Sequence, residues 1–110
     1  MSYVKVNKGE GQWIRMLEGV ERKNLVVGDK TMLCEFMLGK GAELPLHRHP
    51  HEQTGYLISG HLRFQIGEET FEMRPGDSWS IPGDISHKVD VLEDSKVLET
   101  FTPVRDDFLS

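Results

Sequence analysis

Hydrophobic and polar residues alternate along several short stretches of this 110-residue chain. The alternation is clearest at residues 31–38, 62–66 and 70–73. Because successive side chains of a β-strand point to opposite faces, a period of two predicts strands with one buried face. No window carries a sustained apolar stripe at the 3.6-residue period of a helix, so we expect little helix.

Turn signals containing glycine or proline separate these stretches at intervals of about 8–12 residues, a spacing typical of an all-β sandwich or barrel. They occur at residues 9–11, 27–29, 39–41, 59–60, 67–68, 74–77 and 82–84. The length is that of one compact domain, so we expect a single domain over residues 1–110.

Composition excludes some classes of partner. The formal net charge is −5 and there is no run of Lys or Arg, so neither nucleic acid nor an anionic membrane is an expected partner. The first residues, MSYVKVNKGEGQW, lack the apolar run of a signal peptide, and no segment approaches membrane-spanning length. The single Cys34 cannot form an internal disulfide, and we expect a cytoplasmic protein.

Three of the five histidines lie in the stretch PLHRHPHEQTGYLISG. His47 and His49 are two residues apart and would share one face of a strand, and Gln53 has the same parity. His87 follows a turn signal and opens another predicted strand. Three imidazoles and one amide oxygen would form a site for one divalent ion with open coordination positions, and Zn, Ni, Mn, Fe and Cu all suit such ligands.

The role of Gln53 has two interpretations. As a neutral ligand it would leave the ion its full double positive charge and make it a stronger Lewis acid. It would also remove the carboxylate of the two-His-one-carboxylate iron set, which disfavours O₂ activation. Alternatively, Gln53 is a polar residue that binds water at the mouth of a barrel.

At these spacings the chain resembles the small single-domain cupins, which are antiparallel jelly-roll β-barrels of six to eight strands. The first cupin motif is matched by Gly41, His47, His49, Gln53 and Gly60. The second is matched by Gly76, Pro82 and His87. The chain departs from the family pattern at Gln53, where Glu is usual, at Gly83, which is one place early, and at Val91, where Asn is usual.

The C-terminal stretch ETFTPVRDD, together with HRHPHEQ, is similar to the pectin- and alginate-degradation cupins, which open 4,5-unsaturated uronate monomers to linear keto forms. The resemblance implies that Glu99 acts as an acid and that Phe101 and Arg105 line the substrate pocket. The acid of that family is Asp, so Glu99 is longer by one methylene.

The residues themselves leave the orientation of Glu99 open. If Val97 faces inward, a period of two also sends Glu99 and Phe101 inward; if Leu98 does, Glu99 is solvated. The resemblance favours the inward orientation. Arg105 could bind a substrate carboxylate with two hydrogen bonds, although a surface arginine after a strand end is also common.

Several other residues have simpler interpretations. We expect His51 at the rim of the site and His61 at a solvated strand start. Four bulky residues are assigned to the barrel core, Phe64, Phe71, Trp79 and Ile81, although Trp79 could equally border the pocket. Residues 2–6 look like a strand without a hairpin partner, so we expect them to pair with a second copy in a homodimer.

Three functions follow from these features. The first is a metal-dependent, non-redox isomerase that opens an unsaturated uronate, with a small sugar acid as substrate. The second is a small metal-dependent cupin dioxygenase. The third is a cupin that binds a small molecule without turnover. Only the C-terminal stretch separates them, because the two motifs serve all three.

Overall fold

The computed structural model describes residues 3–109. It contains eight strands, β1 (Ile14–Leu17), β2 (Val20–Val27), β3 (Met32–Leu38), β4 (Glu43–His47), β5 (Glu52–Ile66), β6 (Glu69–Met73), β7 (Ser78–Ile81) and β8 (His87–Thr102). The helical part of residues 3–109 is one 3₁₀ turn, Asp106–Phe108. No helix in that range is long and apolar enough to cross a membrane.

All eight strands belong to one hydrogen-bonded sheet, in which the two longest strands, β5 and β8, pair with different neighbours along their two halves. Along one end they lie in the order β1-β2-β3-β8-β5-β7, and along the other in the order β4-β8-β5-β6. Every pairing is antiparallel. The predicted antiparallel jelly-roll β-barrel is therefore confirmed, with very little helix.

The bend in β5 lies at Gly60, where the register against β8 shifts between Leu57 and Leu62. Gly60 has a φ of 104°, and a Cβ there would lie 2.0 Å from the Oγ of Ser95. Only glycine fits this close approach. The prediction of a turn at residues 59–60 is wrong, because β5 continues through Gly60 as a bulge. A bulge and a turn use the same left-handed backbone, so a glycine alone does not distinguish them. His61 consequently lies inside β5 and is half-buried, not at a strand start.

The core lies inside the barrel, where every second residue of β3 and of the C-terminal half of β8 is buried. Phe64, Trp79 and Ile81 are buried as predicted. Phe71 is 40% exposed, and its assignment to the core is wrong. It pairs with Phe64 but lies on the edge strand β6, whose inner face is incompletely covered.

The N-terminal segment differs from its prediction. Residues 3–6 form no strand within this chain, and Tyr3 is 96% exposed. Ser2, the first residue of the predicted strand, lies outside the described residues. A strand there would need a pairing edge that residues 3–109 of one chain do not give it.

Candidate metal centre

Three histidines converge at one end of the barrel. His47 ends β4 and His87 begins β8, and the two are paired across the sheet. His49 lies in the connection between β4 and β5. The ring centroids are 4.3 Å apart for His47 and His87 and 5.1 Å apart for His49 and His87. One nitrogen of each ring lies within 4.8 Å of the others.

The backbone fixes which nitrogen each ring presents. Each Nδ1 lies within 2.9 Å of a carbonyl oxygen, from Pro45 for His47, from His51 for His49 and from Ile85 for His87. A carbonyl can only accept a hydrogen bond, so each Nδ1 carries the proton. In the neutral ring Nε2 then keeps its lone pair, which is the arrangement found in metal-binding histidines.

Burial keeps the rings of His49 and His87 neutral. Burial, followed by the nearby charges of Arg105 and His87, lowers the pKa of His49 from 6.5 to about 4. Burial also lowers the pKa of His87. At neutral pH both rings are therefore in the form that binds a metal, with no proton to displace.

Gln53, on β5, is the candidate for a fourth donor. Its Oε1 and the Nε2 of His49 are buried and have no hydrogen-bond partner among residues 3–109. Orphaned buried polar atoms are rare in folded proteins and call for a partner. One amide oxygen and three imidazole nitrogens suit a divalent ion of the Zn, Ni, Mn, Fe or Cu type, so the donors present fit the metal that the motifs imply.

Glu99 points into the barrel, on the same face of β8 as Val97 and Phe101. It is 7% exposed, and its Oε1 accepts a hydrogen bond of 3.0 Å from the Nε1 of Trp79. Burial raises the pKa of the Glu99 carboxyl to about 8, although Trp79 and the amide of Gln53 favour its charged form. A carboxyl with this pKa can exchange a proton near neutral pH.

Arg105 follows β8 and lies against two aromatic rings, with its guanidinium carbon 4.0 Å from the ring centre of Phe108 and 5.1 Å from that of Phe101. Its Nε and Nη2 donate to the carboxylate of Asp107 at 3.3 and 2.8 Å. Asp107 therefore binds one edge of the guanidinium. The edge formed by Nη1 and Nη2 can still bind another carboxylate.

Most of the predicted site residues line one cavity of about 240 Å³. Its polar lining consists of His47, Gln53, His87, Glu99 and Arg105. Its apolar lining consists of Met16, Leu17, Val20, Phe36, Leu44, Pro45, Phe64, Val89, Phe101 and Phe108. A mostly apolar cavity with a few converging polar groups is the usual form of a small-molecule site.

The site residues predicted from the sequence thus lie close together: six line this cavity, and His49 lies beside His47 and His87. His51, expected at the rim, contributes its backbone carbonyl to His49. Sequence reasoning assigned no role to Trp79 beside Glu99 or to Asp107 beside Arg105. Asp107 carries a signal, an acid two residues from an arginine. The three backbone carbonyls that bind the histidine rings give no signal in the sequence, because every residue has a carbonyl.

Comparison with known proteins agrees with this fold. The family described as "Cupin domain" matches residues 34–101, and the chain belongs to the cupin family. It is 32% identical over 102 residues to "Pectin degradation protein KdgF" of Dickeya dadantii, covering 91% of this chain and 93% of that one.

Two solved structures share the fold. That of KdgF from Halomonas sp. has a TM-score of 0.90 and 28% identity, covering 97% of this chain and 99% of the other. An RmlC-like cupin from Shewanella frigidimarina also has a TM-score of 0.90, with 24% identity, covering 97% of this chain and 96% of the other.

Proposed function

We propose that this cupin catalyses the ring opening and ketonisation of a 4,5-unsaturated uronate monomer, giving its linear keto form. The observation that carries the proposal is the placement of a buried carboxyl, Glu99, in the same cavity as His47, His87 and Arg105. The same cavity thus offers an acid, a cation for a substrate carboxylate and a set of metal donors.

In this proposal His47, His49, Gln53 and His87 bind one divalent ion. When bound, the ion would act as a Lewis acid that polarises substrate oxygens. The chain contributes the orientation of the donors, because the carbonyls of Pro45, His51 and Ile85 fix the rings.

Arg105 pairs with the substrate carboxylate through its Nη1 and Nη2 edge, while Asp107 keeps the guanidinium in place. Phe101 and Phe108 pack against the guanidinium and exclude water beside it. The cavity of about 240 Å³ is small compared with typical ligand pockets of roughly 300–1,000 Å³. This size favours a single sugar acid over a longer oligosaccharide.

Glu99 moves the proton. The reaction is an isomerisation: the bond between C1 and the ring oxygen breaks, O1 loses its proton as C1=O forms, C4 gains a proton and C5=O forms. Glu99 accepts the proton from oxygen and delivers one to C4, so no net proton, electron or water is consumed. General acid–base assistance of this kind contributes roughly 10²–10⁴-fold to rate.

The similarity to KdgF supports a sugar-derived substrate. The relative of Dickeya dadantii bears the name "Pectin degradation protein", and 93% of its length is covered by this chain. Depolymerisation of pectin by elimination gives 4,5-unsaturated uronates, which are the substrates proposed here. We therefore place this chain in pectin or alginate catabolism.

An absorbance assay tests the proposal. The C4=C5 bond of the substrate is conjugated to its carboxylate and absorbs in the ultraviolet, so conversion to the ketone bleaches that absorbance. Metal-loaded protein should bleach the signal faster than the spontaneous rate, and the product should carry a keto group.

Other outcomes would favour the alternatives. O₂ uptake with an iron-loaded protein would support a dioxygenase. Tight binding of a uronate without any acceleration, across the five metals named above, would support a binding protein. Either result would overturn the isomerase proposal.

We make three further proposals. We take residues 1–110 as one cupin domain working in the cytoplasm. We also propose a homodimer, because residues 3–6 are exposed, include the apolar Tyr3 and Val4, and form no strand within this chain. Light scattering that shows a monomer at micromolar concentration would contradict the dimer.

A further inference from the structure

Three residues form a row across the sheet beside the metal donors. Trp79 on β7 and Glu99 on β8 are each paired with Gly55 on β5, which lies between them. Directly opposed residues of neighbouring strands place their side chains on the same face of the sheet. All three residues are buried, so the row faces the interior of the barrel.

Gly55 leaves the space that the indole of Trp79 occupies. A Cβ at position 55 would lie 2.2 Å from the Nε1 of Trp79 and 2.3 Å from its Cε2, closer than two such atoms can approach. The indole therefore crosses the middle strand and reaches Glu99, where Nε1 donates to Oε1 at 3.0 Å.

The indole is itself well fixed. Trp79 is 7% exposed, and its ring centre lies 4.6 Å from that of Phe64, in contact within the core. A donor on a packed aromatic ring has little freedom to follow its acceptor. The position of Oε1 is therefore set by the core, and Glu99 loses the rotational freedom of its long side chain.

We propose that Trp79 is a positioning residue for Glu99 and that Gly55 is required for it to act. This inference rests on the proposed function. Trp79 binds Oε1, so the other oxygen, Oε2, is the one available for proton transfer. Oε2 has no hydrogen-bond partner within the described part of the chain. Geometry at a reacting group is worth large factors in rate, because misplacement by about 1 Å can cost on the order of 10²-fold.

The hydrogen bond between Trp79 and Glu99 can be tested independently of enzymatic activity. The measurement is the NMR signal of the indole N–H groups in ¹⁵N-labelled, metal-free protein. The chain has two tryptophans, Trp13 and Trp79, so Trp13→Phe and Trp79→Phe assign the two signals. We expect Glu99→Ala to move the Trp79 signal upfield, because the hydrogen bond is lost, and Glu99→Gln to move it much less, because the amide oxygen still accepts. A Trp79 signal that is the same in wild type and Glu99→Ala would overturn the inference.

The role is tested by a double-mutant cycle on the metal-loaded protein. Trp79→Phe removes the donor and keeps a buried ring, and we expect kcat to fall about 10-fold or more with KM nearly unchanged. In a Glu99→Gln background the same substitution should change kcat by less than about twofold, since Trp79 would act only through Glu99. Equal losses in both backgrounds would assign Trp79 a purely structural role. Trp13→Phe, the same change at an exposed position, is the control.

The two proposals fail in different ways. A wild-type protein that accelerates no unsaturated uronate overturns the proposed function, and with it the role of Trp79 in proton transfer. An unchanged indole signal in Glu99→Ala overturns this inference alone. If Trp79→Phe fails to fold, the indole measurement still decides, because the Glu99 variants keep Trp79 intact.

Discussion

The cavity and the outer surface near β5 and β6 use the same three kinds of side chain in opposite settings. In the cavity region they are His49, Glu99 and Arg105. On the surface they are His61, Glu72 and Arg63, joined by Arg74; we call these four residues the surface cluster. In the surface cluster Glu72 accepts hydrogen bonds from Arg63 at 3.3 Å and from Arg74 at 3.2 Å. Glu99 instead accepts a hydrogen bond from the uncharged indole of Trp79.

The two settings move the pKa of a glutamate in opposite directions. Hydrogen bonding from Arg63 lowers the pKa of Glu72, whereas burial raises that of Glu99 to about 8. A carboxylate in water beside cations is stabilised as an anion and is chemically idle. A buried one without a cationic partner is a proton carrier. The residue type is the same, so the reactivity comes from the surroundings.

The largest expected effect is the loss of metal. His49→Ala should lower the bound metal severalfold and abolish activity, because it removes one of four donors. His61→Ala, in the surface cluster, should retain both metal and activity. Elemental analysis of the purified variants measures this difference. If His49→Ala and His87→Ala both kept full metal content, the site itself would be refuted.

The next effect concerns the two glutamates. Glu99→Gln should retain metal and lose roughly 10²–10⁴-fold in kcat, since the amide cannot transfer a proton. Glu72→Gln should leave kcat within about twofold of wild type, as expected for an exposed ion pair away from the reaction. Steady-state kinetics from the absorbance assay provides both values. A fully active Glu99→Gln would deprive Glu99 of its proposed role.

A smaller effect is expected for the arginines. Arg105→Ala should raise KM about 10–100-fold, because a charge-assisted hydrogen bond is worth roughly 1.5–3 kcal/mol. Arg105→Lys should recover part of the loss, since it keeps the charge but not the planar fork. Arg63→Ala is the matched control and should not alter KM. Equal KM values for Arg105→Ala and Arg63→Ala would contradict carboxylate binding by Arg105.

The smallest effect is on stability, measured on metal-free protein. Glu99 has an ordinary pKa of 4.5 when unfolded and about 8 when folded, so the folded state binds more protons between these values. Its contribution to stability is therefore complete below pH 4.5 and is lost as the pH rises through about 8.

Urea unfolding at about pH 5 and about pH 8.5 should show a larger decrease in midpoint for wild type than for Glu99→Gln. Glu72 has the opposite sign, since its pKa is lowered: its contribution is present above the unfolded pKa and is lost in acid. Glu72→Gln should thus keep the wild-type decrease between these two pH values. Identical decreases in wild type and Glu99→Gln would argue against the raised pKa of Glu99.

The parts of the molecule that follow from local pattern could be predicted from the sequence. Strands with a period of two, such as β3, depend only on spacing along the chain. The histidine cluster was also found from spacing, although His47 ends β4, His49 lies in the connection and Gln53 belongs to β5. The inward orientation of Glu99 could not be chosen from period two alone, because Leu98 is also apolar. Resemblance to known cupins favoured the orientation that the structure has.

The wrong predictions have a common cause: the structure at these positions depends on pairing between strands that are distant in sequence. Gly60 has the backbone of a turn, but its strand continues because β8 pairs with β5 on both sides of it. Phe71 lies in a stretch with the period of a strand, but that strand, β6, is at the edge of the sheet and leaves the side chain exposed. The partners of Glu99 and Arg105 depend on which strands are neighbours and on how the chain turns after β8. Apart from Asp107, which lies two residues from Arg105, these features are not visible in a window of ten residues.

The fixed spacing of residues along β8 limits where the chain can tolerate insertions and deletions. His87 begins the 16-residue strand β8, and Glu99 lies near its other end on the same buried face. Adding or removing one residue between them would turn Glu99 toward the outer face while leaving His87 in place. We expect single-codon insertions in this stretch to be as damaging as loss of the acid, whereas the hairpin between β5 and β6 should accept them.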